Sequence, residues 1–152
     1  MPYATADARA QLLETIAGAT EHLARALSDL SEAYEMLDDA SAERMEDDLF
    51  GPVQRAYGRA QRTYAGFAER HDLPTRAFSQ PLAGAPSHGA KGFIEGATAA
   101  VSQTDQELAT LQDSMLPVEI GDAELRAGLE QVRELIGGFG TSARELTRRL
   151  GR

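Results

Sequence analysis

Apolar residues recur along this chain at the seven-residue spacing of helices that pack lengthwise on one another. Ile16, Leu23, Leu30 and Leu37 form one row, and Leu13, Leu27 and Tyr34 fill the complementary row. Ala19, Ala26 and Ala33 flank that seam, which predicts a neighbouring helix at close approach. The pattern returns with Ile94, Val101, Leu108 and Met115, interleaved with Ala97, Thr104 and Leu111. It returns again with Leu125, Val132, Phe139 and Leu146 set against Leu129, Ile136, Ala143 and Leu150. Stripes this narrow predict shallow crossing angles, as in coiled coils and four-helix bundles.

The segment between the first two runs is less regular. Val53, Ala60 and Phe67 align with Phe50, Tyr57 and Tyr64, but Met45 and Leu49 are out of phase with them. The slip falls at Gly51-Pro52, where a proline removes a backbone donor and crowds the preceding turn, so a kinked helix is expected there. Helices are predicted near 7–37, 41–71, 90–115 and 122–150, with Asp122 an N-cap. Residues 74–91 are rich in Pro, Gly and Ala and lack helical period. The expected fold is a single domain over 1–152: an all-α, up-down-up-down four-helix bundle. Its two helical hairpins, about 7–71 and 92–150, are joined by a long Pro/Gly/Ala-rich strap. "IAGAT" at 16–20 and "IEGAT" at 94–98 stand 78 residues apart, at the same point of each heptad run, and support that division.

The stretch "LIGGFGTS" at 135–142 tests for a phosphate-binding loop. Such a loop needs glycines between a strand and a helix, with a lysine and hydroxyl residue or an acidic ribose partner downstream. No strand precedes this one and no lysine follows. Leu125, Val132, Phe139 and Leu146 stay in phase across it, so a continuous fourth helix is expected, with Gly137 and Gly138 on its outer face.

Composition narrows function mainly by exclusion. The chain has 152 residues and no cysteine, which removes disulfides, thiolate chemistry and thiolate metal sites. A net charge of −9 disfavours nucleic-acid and anionic-membrane surfaces. Neither a signal peptide nor a membrane span is visible, so a cytoplasmic location is the default expectation. Fourteen arginines against one lysine, with abundant alanine and glycine, suggest a GC-rich bacterial genome.

Candidate chemistry is sparse. The three histidines are His22, His71 and His88, and no paired Glu-x-x-His motif accompanies them. His22 sits at the edge of the first seam and His71 closes the second helix, where an imidazolium suits the helix dipole. "SHGAKG" at 87–92 resembles the H-x-x-K-G signature of histidine phosphotransfer domains, which are themselves four-helix bundles. The resemblance implies His88 as phosphoacceptor, Lys91 as its electrostatic partner and Gly92 as the small residue that gives a response regulator room. It departs from that family in the helix-breaking Pro86 and Gly89 around the histidine. No cofactor motif, catalytic triad or paired-carboxylate constellation is present, so a non-catalytic interaction or scaffold module is the leading expectation. Phosphotransfer through His88, and a small apolar ligand held between the helices, are the alternatives.

Charge is distributed in blocks. Residues 29–48 carry a net −8 and residues 105–124 a net −6, leaving +5 for the remainder. In an up-down-up-down bundle both short turns share one end. That end would gather Asp38, Asp39, Glu43, Glu46, Asp47, Asp48, Glu119 and Asp122 as a surface for a cationic protein partner or for self-association. Arg9, Arg70, Arg76, Lys91, Arg148, Arg149 and Arg152 would lie at the opposite end.

Overall fold

The heptad rows are realised as helices throughout. A computed structural model describes residues 2–83 and 89–150, and among these it contains seven α-helical segments, one π turn and no strand. Helix α1 (Pro2–Glu35) has 34 residues, about 51 Å at 1.5 Å per residue. Helix α2 (Asp39–Met45) continues through a π turn (Glu46–Phe50) into α3 (Gly51–Arg70). After the strap come α4 (Gly89–Asp113), the short α5 (Leu116–Ile120), α6 (Ala123–Ile136) and α7 (Phe139–Leu150). Two aspartates cap in equivalent fashion: Asp38 accepts the Ser41 amide at 2.7 Å and Asp122 the Leu125 amide at 3.0 Å.

The rows supply the core. Leu13, Ile16, Leu23, Leu27 and Leu30 of α1 are buried against Ile94, Val101, Leu108 and Leu111 of α4, with the α6 and α7 row closing the other side. Six members depart from the expectation. Leu37 follows the end of α1 and is half-buried, Tyr34 is exposed on the last turn, Met115 lies past α4 in left-handed backbone (φ 65°), exposed, and Phe50, Tyr57 and Leu150 are half-buried. Leu37 and Met115 continue the sequence period after the helix that would use it has stopped.

The phase slip in the second segment has a defined cause. The Gly51 amide donates to the Glu46 carbonyl, five residues back, and the helix widens by one residue just before Pro52. A proline has no amide and clashes with the carbonyl four residues before it, so a wider turn relieves both problems without ending the helix. Met45, Leu49 and Val53 consequently all face inward, each fully buried. The irregularity is a π turn within one rod rather than a break.

Helix directions follow from which residues meet. On α1 and α4, the Thr104 hydroxyl donates to the Ala19 carbonyl at 3.3 Å, and a methyl group built on Gly96 would lie 2.8 Å from Asp29 Oδ2. Later residues of one helix therefore meet earlier residues of the other, and the pair is antiparallel. Arg59 with Gln131 and Arg70 with Asp122 make α3 and α6 antiparallel in the same way. Helix α3 folds back along α1, with Phe50 beside Tyr34. The order is up, down, down, up, which differs from the expected up-down-up-down. The strap must then return along the molecule, and it does: Arg76 pairs with Glu21, Phe78 stacks on Tyr64, and Ser28 donates to the Pro81 carbonyl.

The two halves share an internal two-fold relation that the short repeat foreshadowed. Thr20 and Thr98, 78 residues apart, each donate to the carbonyl four residues back, at 2.7 and 2.8 Å. Gly18 lies near Glu107 while Gly96 lies under Asp29, and both the glycines and the acids are 78 residues apart. The capping pair Asp38 and Asp122 stands 84 residues apart, because the second turn holds α5. Beyond the π turn the buried pairs Val53 and Ile136, Ala60 and Ala143, and Thr63 and Leu146 are 83 apart, one fewer, which is the residue that the π turn adds.

Two glycine sites make opposite demands. At Gly128 a methyl group would overlap the Thr63 side chain, so α6 rests on α3 with no room for a side chain. At Gly137 and Gly138 the rod is divided into α6 and α7, where a continuous helix was expected. The Gly137 amide donates three residues back to Glu134 at 3.3 Å, and regular pairing resumes with Ser142 to Gly138 at 3.1 Å. Gly137 stays right-handed (φ −61°, ψ −30°), and the core row keeps its phase across the interruption. Gly138 has open space where a side chain would go. Replacing Gly137 and Gly138 together by alanine should raise the thermal midpoint, since each glycine costs a helix up to about 1 kcal/mol relative to alanine. Gly128→Ala should instead destabilise by about 1–3 kcal/mol through overpacking against Thr63. Urea titrations of the variants check both signs.

Candidate functional site

Antiparallel pairing of α1 with α4 decides where the charged residues fall. The first acidic block ends α1 and begins α2, whereas the second ends α4 and begins α6, at the opposite end of the molecule. The expected single acidic end is therefore not formed. Helix α7 passes beside the π turn and α2, so Arg148 and Arg149 share the first end with the first acidic block. Lys91, exposed in the first turn of α4, lies there too. Arg70 is at the second end, and Arg152 lies outside the described residues.

At the first end Asp38, Asp39, Glu43, Glu46, Asp47 and Asp48 are all exposed. Hydrogen bonds from the Ser41 amide and hydroxyl hold the Asp38 carboxyl below its ordinary range. Tyr34 and Met36 are large apolar side chains left 41% and 43% exposed among these acids. A groove of about 210 Å³ opens beside Tyr34, lined by Ser31, Tyr34, Glu35, Glu46 and Phe50. Tyr34 belongs to the complementary apolar row of the first helix, and that membership hides the exposed patch; the signal for it is that Asp38 caps a new helix and Glu35 must end the old one.

At the second end the acids serve the fold. Asp122 is 8% exposed and receives four hydrogen bonds. Arg70 grips it with two nitrogens, both at 2.9 Å, His71 Nε2 lies at 2.9 Å, and the Leu125 amide donates at 3.0 Å. Arg70 also reaches Glu124 at 2.7 Å. Burial alone would raise the Asp122 pKa, but the Arg70, Leu125 and His71 contacts outweigh it and hold the carboxyl at about 2. Asp122 is thus a clamp between the end of α3 and the start of α6, with the His71 ring resting on Phe67 at 4.3 Å. Only its capping role was legible, because the sequence spacing does not bring Arg70 to it. Glu119 is exposed on α5, flanked by the exposed Val118.

The remaining candidates are placed as follows. His88 lies outside the described residues, and Lys91 with Gly92 occupies the first turn of α4. His22 Nε2 meets Glu107 Oε1 at 3.3 Å across the α1–α4 seam. The small seam residues Ala19, Ala26, Ala97 and Thr104 are buried by close helix approach. A groove of about 740 Å³ beside that seam is lined largely by polar side chains, among them Gln11, Glu14, Gln103 and Glu107. Among the described residues no cluster of three or more His, Asp or Glu is arranged to hold a metal ion, and no helix is long and apolar enough to cross a membrane.

Compared with protein-family models, with curated proteins and with solved structures, the chain finds no match.

The clamp carries a pH signature. Asp122 has a folded pKa of about 2 against 3.8 for the free group, a depression worth about 2 kcal/mol. Because the folded value is the lower one, this stabilisation is present above pH 4 or so and is lost as pH falls from there towards 2. Chemical denaturation of the parent chain and of Asp122→Asn across pH 2–6 should show a stability gap that narrows with acidification over that window. A gap constant with pH would show that the carboxylate charge is not what Arg70 and His71 hold.

Proposed function

We propose that this protein is a non-catalytic interaction module. In this reading it is a four-helix bundle of two strap-linked helical hairpins that presents the end formed by the α1–α2 turn to a cationic protein partner. The observation that carries the reading is the exposed Tyr34 and Met36 among the first-turn acids. Large apolar groups ringed by like charge suit a partner segment that brings its own apolar anchor and lysines or arginines. Glu35, Asp38, Asp39, Glu43, Glu46, Asp47 and Asp48 outnumber Lys91, Arg44, Arg148 and Arg149, so the end keeps a negative field. Glu119 and Asp122 belong to the other end and take no part. Arg70, His71 and Asp122 are taken up by an inter-helix clamp, which supports a structural rather than a catalytic use of these polar groups.

Binding of this kind responds to salt and to charge reversal. Retention of basic proteins from the native lysate should fall steeply as the wash rises from about 0.01 to 0.15 M salt, because the Debye length shrinks from about 30 to 8 Å. A variant carrying Asp39→Lys, Glu43→Lys, Glu46→Lys and Asp47→Lys should lose those proteins while keeping its helical circular dichroism. Asp38 is left alone because it caps α2. Equal retention by parent and variant, identified by mass spectrometry, would refute the assignment of this end.

A further inference from the structure

Equivalent grooves in the two halves are treated differently. In the first half the strap lies between α1 and α3, with Arg76 paired to Glu21 and the Phe78 ring standing edge-on to Tyr64 at 5.2 Å between centroids. The two-fold relation carries that groove onto the one between α4 and α7: Thr20 onto Thr98, Ala60 onto Ala143 and Tyr64 onto Thr147. Among the described residues this second groove is open. It has a volume of about 360 Å³ and is lined by Glu95, Thr98, Ala143, Arg144, Thr147 and Arg148.

Two differences specify what fits. Where Tyr64 gives the first groove a ring, Thr147 leaves that space vacant, enough for an incoming aromatic side chain to take its place. The rim charge also changes sign. Glu21 corresponds to Ala99, Gln61 and Ala65 correspond to Arg144 and Arg148, and Ala17 corresponds to Glu95, so the exposed rim carries two arginines against one acid. The arginine that seats the strap would be repelled here, and a carboxylate in its position would be attracted.

We propose that the α4–α7 groove docks an extended segment of a partner protein that carries an aromatic residue preceded two positions earlier by an acid. It lies there as the strap lies on α1 and α3. A second copy's own strap is disfavoured as occupant by its Arg76, which would bring a like charge to a rim that carries Arg144 and Arg148. This surface adjoins the acidic end and shares Arg148 with it, but its readout is at Thr98, Ala143 and Thr147, so either assignment can fail without the other.

The probe is a fluorescein-labelled peptide of residues 75–83 carrying Arg76→Glu, titrated by anisotropy and by amide chemical shifts of the isotope-labelled protein. Saturable binding with shifts centred on Thr98, Ala143 and Thr147 is expected. The unsubstituted peptide should bind about tenfold more weakly, as unlike and like rim charges differ. Arg144→Glu with Arg148→Glu, both at exposed positions and so compatible with the fold, should invert that preference. A probe that carries Phe78→Ala as well should lose binding. Shifts centred instead on Glu21 and Tyr64, no saturation, or a preference unchanged by charge reversal would each overturn the proposal.

Discussion

The seam between α1 and α4 governs the rest of the molecule. The two helices meet through alanine, glycine and threonine, so their backbones approach closely enough for the Thr104 hydroxyl to reach the Ala19 carbonyl. Carboxylates then fit over the missing side chains of glycines, Asp29 above Gly96 and Glu107 beside Gly18. Burial raises the Asp29 pKa, partly offset by Arg25, as expected for an acid held against a helix surface. Because this seam is antiparallel, the second half is inverted on the first. Three consequences follow together: a strap that runs along α1 past Glu21 and Ser28, acidic turns at opposite ends, and α6 lying on α3 in the same antiparallel sense.

The internal two-fold is most informative where it fails. Four features occur in one half only: the π turn before Pro52, α5 in the second turn, the interruption at Gly137 and Gly138, and the strap over the first groove. The π turn and α5 alter the residue offset between halves from 78 to 84 to 83 without disturbing the buried rows. A core can absorb such insertions because a π turn or a surface helix adds length while the inward face is kept. The strap changes no offset but gives the halves unlike surfaces, which is why the α4–α7 groove differs from its counterpart in both shape and charge.

What could be read from sequence follows a physical division. Periodicity reports which face of a helix is apolar, and most heptad residues named from it are buried, the exceptions being Tyr34, Leu37, Phe50, Tyr57, Met115 and Leu150. It also reported the slip before Pro52 and the register held across Gly137 and Gly138. Periodicity does not report direction, because a buried stripe reads the same from a parallel or an antiparallel neighbour. The up-down-up-down order rested on turns being short, and the long strap was the one segment whose path decided the matter. The clamp at Asp122 was hidden for the same reason: Arg70 and Asp122 are 52 residues apart and meet only once the halves are inverted. Gly128 was hidden because its demand comes from Thr63 on another helix. Met115 was misplaced because a helix ends where backbone capping allows, not where its apolar period ends.

The two capping aspartates show how one local device yields an adhesive at one end and a surface at the other. Asp38 and Asp122 do the same work for the helices they begin. Around Asp122 the end of α3 supplies Arg70 and His71, which neutralise the carboxylate, exclude water and bind two helices together. Asp38 receives only local contacts at residues 40 and 41 and stays exposed, with further acids on the turn that follows. Like charges left unpaired on one turn repel one another and weakly oppose folding. The acids at the second end stabilise the protein, while those at the first do so only through the cap. The physical case for a partner therefore rests on the first end, where charge and exposed apolar surface coincide without serving the core.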